Sequence, residues 1–221
     1  MARRAMEKGA QGTRAGGPAV TGDGVFEDSM WREQMVVRND GQMVRGLAHG
    51  AVFIALGIVI PMFFHAVGAG KVFLPMHIPV LLAGFFAGPV IGAIVGFLTP
   101  ILSAVLTGMP PLMPPMAQAM MVELAVYGFL SGLLYKVLRQ NVIVALVGAM
   151  VGGRLVYGAL AAYLLPLFGL NPVPVLYPLT AGIAGSLPGV VLQLVFVPAV
   201  VYLSEKTVKA KAGSPARKQR V

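Results

Sequence analysis

Long apolar runs, punctuated by glycine and proline, occupy this chain from about Val44 to Leu203. A helix needs roughly 17–25 such residues to cross a bilayer, and the pattern predicts six spans in order. The first runs from about Val44 to His65. A loop carrying Lys71 leads to a short second span, Ile78 to Ala87, with Phe73 as an alternative start inside the membrane. Gly88-Pro89 turns the chain into a third span that ends near Thr107. After the loop MPPLMPP a fourth runs from Met116 to Leu138. A turn at Arg139-Gln140-Asn141 opens a fifth that ends near Leu165, and the loop LFGLNPVPVLYP precedes a sixth from about Leu179 to Leu203. The expected fold class is all-α, a polytopic membrane protein built as a six-transmembrane-helix bundle over residues 45–204.

Glycines recur at four-residue spacing within these spans: Gly88, Gly92 and Gly96, then Gly128/Gly132, Gly148/Gly152 and Gly185/Gly189. Small-xxx-small spacing lets helix backbones approach closely where lipid gives no hydrophobic drive for association. Outside the spans, residues 1–44 are rich in glycine and charge and read as a disordered cytoplasmic tail. The alternative is a short helix on the membrane surface with Phe26, Met30, Trp31 and Met35 on one face. Residues 205–221 form a second, basic tail.

Composition agrees with the membrane class. The chain is 57% hydrophobic and 11% charged, against about 25% charged in soluble domains, and its mean hydropathy is +0.81. The net charge of +9 does not argue for nucleic acid, because it sits at the two ends. Of 17 Lys and Arg, only Lys71, Lys136, Arg139 and Arg154 lie between Arg45 and Lys206. Six spans put both tails and the Lys136/Arg139 turn on one side, so both termini are expected in the cytoplasm. The localisation this implies is the bacterial plasma membrane, multi-pass. There are no cysteines, and the scattered histidines give no metal-binding spacing. No cofactor is expected.

Glu123 is the only acidic residue between Arg45 and Leu203, and Arg154 lies near the middle of the fifth span. A charge at the centre of a bilayer costs about 2.5–3.5 kcal/mol unless paired or facing a cavity. The two either pair and staple helices four and five together, or face a substrate cavity that opens outward. Tyr127 follows Glu123 at i+4 and Tyr157 follows Arg154 at i+3, which places a hydrogen-bonding aromatic on the face of each charge. Gln118 lies on the same helix as Glu123, nearer the mouth. His77, between two prolines at the outer start of the second span, is either a capping residue or a ligand contact. Asn171 precedes an X-Pro step as a turn residue or ligand contact. Gln193 reads as an interhelical hydrogen bond, and His49 and His65 receive no role. No catalytic residue is assigned: Ser103, Ser131 and Ser186 are scattered without the base or acid that nucleophilic chemistry requires. There is no phosphate-binding loop, so ATP is not hydrolysed by this chain.

The run LPMHIPVLLAGFFAGPVIGAIVGFLTPILSAVLTGMPP, followed by MVELAVYGFLSGLLY, resembles the substrate-binding S components of energy-coupling factor (ECF) transporters. The resemblance covers roughly Arg45 to Leu203. It implies a six-helix bundle that captures a vitamin or related micronutrient from outside beneath its outer loops. It further implies docking on one transmembrane coupling protein and two ATPases. That module recognises small residues spaced AxxxA on the first helix, matched here by Ala51 and Ala55. MPPLMPP would then be a proline-stiffened lid over the pocket and Glu123 a polar contact within it, with Arg154 either pairing with Glu123 or holding an anionic substrate group and Tyr127 and Tyr157 flanking them. The group it resembles includes folate, pantothenate and cobalamin binders, and Arg154 slightly favours a ligand with a carboxylate or phosphate.

Three other readings stay open at this level. One is a solitary facilitator without an ATPase partner. Another is a membrane-embedded enzyme with Glu123 as general acid or base. The third is an assembly factor in which Glu123 and Arg154 serve packing alone.

Overall fold

In a computed structural model of the chain, helices are the only regular structure among the described residues. Those residues are 22–66, 68, 70–111, 116–171 and 174–212. Side chains are described from residue 44 onward, those of Lys71, Met116, Ala181, Lys211 and Ala212 excepted. Contacts divide the chain into two units, Met1–Met43 and Val44–Val221, and the candidate site lies wholly in the second.

Helix α1 (Gly22–Ala66) holds the first span in its C-terminal half. The backbone over residues 22–43 is helical within this element. Residues 1–21 lie outside the described residues. Among the described residues, five helices are long and apolar enough to cross a membrane: Val44–Ala66, Pro89–Thr107, Ala117–Val137, Val142–Leu167 and Leu187–Ala210.

The second predicted span is different in kind. A one-turn helix α2 (Gly70–Phe73) is followed by α3 (His77–Ala87), which has only 11 residues. At 1.5 Å per residue it is about 16 Å long, roughly half the hydrocarbon thickness. Every residue from His77 to Phe85 is buried. The helix is apolar on all sides because protein surrounds it on all sides. Gly88 closes α3 at φ 96°, a conformation that favours glycine, and its N–H donates to the Gly84 carbonyl. Pro89, which lacks an N–H, then opens α4 (Pro89–Thr107) at the position where none is needed.

Helices α3, α4 and α5 (Met116–Gly132) meet backbone to backbone. A Cβ on Gly128 would stand 2.0 Å from the Gly92 carbonyl oxygen, and one on Gly96 would stand 2.1 Å from that of Leu124. The glycine spacing therefore marks real contact lines here. Gly185 is the exception, with nothing within 4 Å of its virtual Cβ. Ser131 reinforces the seam by donating to the Leu81 carbonyl at 3.2 Å. Around it the core is aliphatic and aromatic, including Leu81, Phe85, Leu124, Tyr127, Leu146 and Val197.

A π-helical turn, Leu133–Val137, continues α5, and α6 (Val142–Leu167) returns. The last predicted span, from about Leu179, starts later than expected. A 3-10 turn (Tyr177–Leu179) and a short helix α7 (Ala181–Gly185) precede α8 (Leu187–Ala212). Thr180, at φ −105° and ψ −92°, is non-helical, and Pro188 falls in the first turn of α8, where its missing N–H costs nothing.

Candidate functional site

His77 begins α3 and is delivered inward by the preceding turn. Leu74 takes φ 46°, and its carbonyl accepts the His77 N–H at 3.1 Å. The imidazole is 3% exposed, and its Nε2 lies 4.0 Å from Glu123 Oε1. One turn along α5 from Glu123, the Tyr127 ring stands edge-on to His77, with centroids 5.1 Å apart at 72°. Helix α6 reaches Tyr127 across Gly153, whose virtual Cβ is already 3.2 Å from the ring. This close approach brings Arg154 alongside. Tyr127 is within interaction range of both Glu123 and Arg154.

Glu123 and Arg154 do not form an ion pair. Among the described residues the one carboxylate within 4.0 Å of a basic nitrogen is Glu123, and its partner is His77. Arg154 turns instead to the segment before α8. Its Nη1 donates to the Pro178 carbonyl at 3.1 Å and its Nη2 to Ser186 Oγ at 3.1 Å. Ser186 in turn donates to the Gly182 carbonyl at 2.8 Å. The same segment packs on α6 at Gly158, where a Cβ would stand 1.9 Å from the Val175 carbonyl oxygen. Arg154 thus holds the connection between α6 and α8 against α6.

Three buried side-chain atoms have no hydrogen-bond partner among the described residues: His77 Nδ1, Arg154 Nε and Gln193 Nε2. Leaving a buried polar group unpaired costs about 1–3 kcal/mol, and two of these three atoms, His77 Nδ1 and Arg154 Nε, belong to residues of the candidate site. Gln193, expected to make an interhelical hydrogen bond, is 1% exposed and its amide nitrogen makes none. Among the described residues no three of His, Cys, Asp and Glu gather as a cation would require.

The other predicted contacts fall in different places. Tyr157 is half-buried and within electrostatic reach of Glu123 and Arg154. Gln118 is exposed, because five residues along a helix turn it about 140° away from Glu123. Asn171 is also exposed and is not brought to the cluster. Of the MPPLMPP loop, Leu112–Pro115 lie outside the described residues. Its start is fixed to α4, where Ser103 Oγ donates to the Met109 carbonyl at 2.7 Å. Ala51 and Ala55 are exposed on α1, while Gly50 and Gly57 of the same helix face Ile91 and Thr99 of α4. Ser186, set aside above only as a nucleophile, was not expected beside Arg154. Its signal was a serine directly before a Leu-Pro helix start, a common way to begin a helix.

The chain matches the family model for the ECF transporter substrate-specific component over residues 45–201. No curated protein and no solved structure matches it.

Proposed function

The chain belongs to the substrate-specific components of ECF transporters, and on that premise we propose that it captures a vitamin or related micronutrient from outside the cell at the His77–Glu123–Tyr127–Arg154 cluster. It then delivers the cargo by docking on a transmembrane coupling protein with two ATPases. The observation that carries this reading is the convergence of α3, α5 and α6 on two intramembrane charges that do not neutralise each other, beside buried polar atoms with no partner. Intramembrane ionisable residues mark substrate pathways by default.

Both terminal nitrogens of Arg154 are engaged by protein, so Glu123 is the more available charge. The cargo accordingly presents a hydrogen-bond donor or cation to Glu123, and an acceptor to Arg154 Nε. Tyr157 contributes from the edge, while Gln118 and Asn171 enter the site only if the outer loops close over the cargo. α2 and α3 together make the second of six crossings, with residues 1–44 and 205–221 in the cytoplasm of a bacterial cell. The exposed Ala51 and Ala55 lie on an α1 face free of α4, which supports their use in docking.

Mass spectrometry of small molecules released from the purified protein tests the proposal. A stoichiometric micronutrient in the wild type that is lost in Glu123→Ala is the expected result. An empty protein that no vitamin shifts in thermal stability would overturn it.

A further inference from the structure

A concave site lies toward the other end of α5, about 18 Å along that helix from Glu123 by helical rise. It is a cavity of about 430 Å³ between α3, the π-helical turn and the C-terminal half of α8. It sits where the spans Ala117–Val137 and Leu187–Ala210 end, the depth at which lipid headgroups lie. Its floor is apolar, with Phe85 stacked edge-on to Tyr135 at 5.1 Å and Val201 beside them. Its rim carries two cations, Lys136 and Lys209, and one carboxylate, Glu205. That carboxylate is taken up by the Tyr135 hydroxyl, which donates to Glu205 Oε1. Lys136 spends one hydrogen on the Phe86 carbonyl at the end of α3; an ammonium has three.

We propose that this cavity binds an anionic phospholipid, with the phosphate held by Lys136 and Lys209 and the upper acyl chain on Phe85, Phe86 and Val201. Charge complementarity selects the anion, since the rim carries two ammonium groups against one carboxylate, which the Tyr135 hydroxyl already engages. The apolar floor selects an amphiphile over a soluble phosphate. The π turn supplies the geometry, because its wider winding is where Tyr135 and Lys136 meet α8 and α3. Basic pockets between membrane helices are the setting in which anionic headgroups bind. The proposal is independent of what occupies the Glu123 site.

The test is titration of the full-length protein in neutral detergent with phosphatidylglycerol or phosphatidylcholine, read by native mass spectrometry and thermal shift. Phosphatidylglycerol is expected to bind preferentially. Half-saturation should weaken about fivefold for Lys136→Gln or Lys209→Gln, and about 25-fold for both. Lys206→Gln, on the same helix but outside the cavity, should stay within about twofold of wild type. Should Lys136→Gln fail to fold because the α3 end loses its cap, Lys209→Gln against Lys206→Gln carries the comparison alone. Equal binding of the two lipids, equal losses at Lys206 and Lys209, or full stabilisation by glycerol 3-phosphate alone would each overturn the proposal.

Discussion

His77 Nε2 stands 4.0 Å from Glu123 Oε1, and both side chains are buried. The separation exceeds a good hydrogen bond by about 1 Å. The imidazole therefore consumes no lone pair of the carboxylate, and Glu123 keeps the capacity to accept from a bound molecule.

Removal of that acceptor should release the cargo. Hydrogen bonds to charged groups contribute about 1.5–3 kcal/mol, so Glu123→Ala is expected to weaken retention at least tenfold. His77→Ala, which leaves that acceptor in place, should weaken it less. The ratio of released small molecule to protein, and calorimetry with the molecule so identified, measure both. Equal retention in all three proteins would remove Glu123 from the site.

Arg154 should behave as a structural tie as well as a site residue. Ser186→Ala removes one of its partners and is expected to cost about 1 kcal/mol, whereas Arg154→Ala leaves two acceptors behind and should cost about 3 kcal/mol. Unfolding in mixed micelles gives the two values. The double variant should fall short of their sum by at least about 0.5 kcal/mol, because the residues touch. Strict additivity would contradict the contact.

The glycine seam predicts sharply position-dependent effects of one methyl group. Gly96→Ala and Gly128→Ala place a carbon against backbone oxygen and are expected to destabilise by at least about 3 kcal/mol, the upper range for overpacking. Gly185→Ala meets nothing within 4 Å and should fall within about 1 kcal/mol of wild type in either direction. Thermal unfolding of the three proteins compares them directly.

The exposed α1 face should separate binding from coupling. Ala51→Leu with Ala55→Leu adds bulk only where the bundle has no contact. Cargo retention is expected to remain at the wild-type level, while co-purification with the coupling protein and its ATPases is lost. Unchanged co-purification would exclude this face as the docking surface.

Much of the architecture is legible in the residues themselves. Apolar runs locate the spans, and glycine periodicity locates the α4–α5 contact, because both are properties of a single helix. The cost of intramembrane charge singled out Glu123 and Arg154. What the sequence hides is relational. Nothing in the α6 run says that Arg154 turns toward Pro178 and Ser186 rather than Glu123, since that depends on how α6 is rotated against α5. The shortness of α3 is legible in the run Ile78 to Ala87, but its burial on all sides is hidden, because a buried helix and a lipid-facing one look equally apolar. Gln118 was placed on the helix of Glu123 correctly, but five residues are not a whole number of turns.

Carbonyl oxygens lie directly over glycine backbone across α3, α4 and α5, and such a contact has no rotamers to exchange. Side-chain interfaces accommodate sliding by hopping between wells, but this one has no slack to give. The three helices therefore move as one slab. On the proposed function, cargo would reach Glu123 where contact is made by side chains and short turns, at the α2–α3 corner and the tether from Arg154 to the start of α8. Access would then be hinged at the edge of the slab rather than within it.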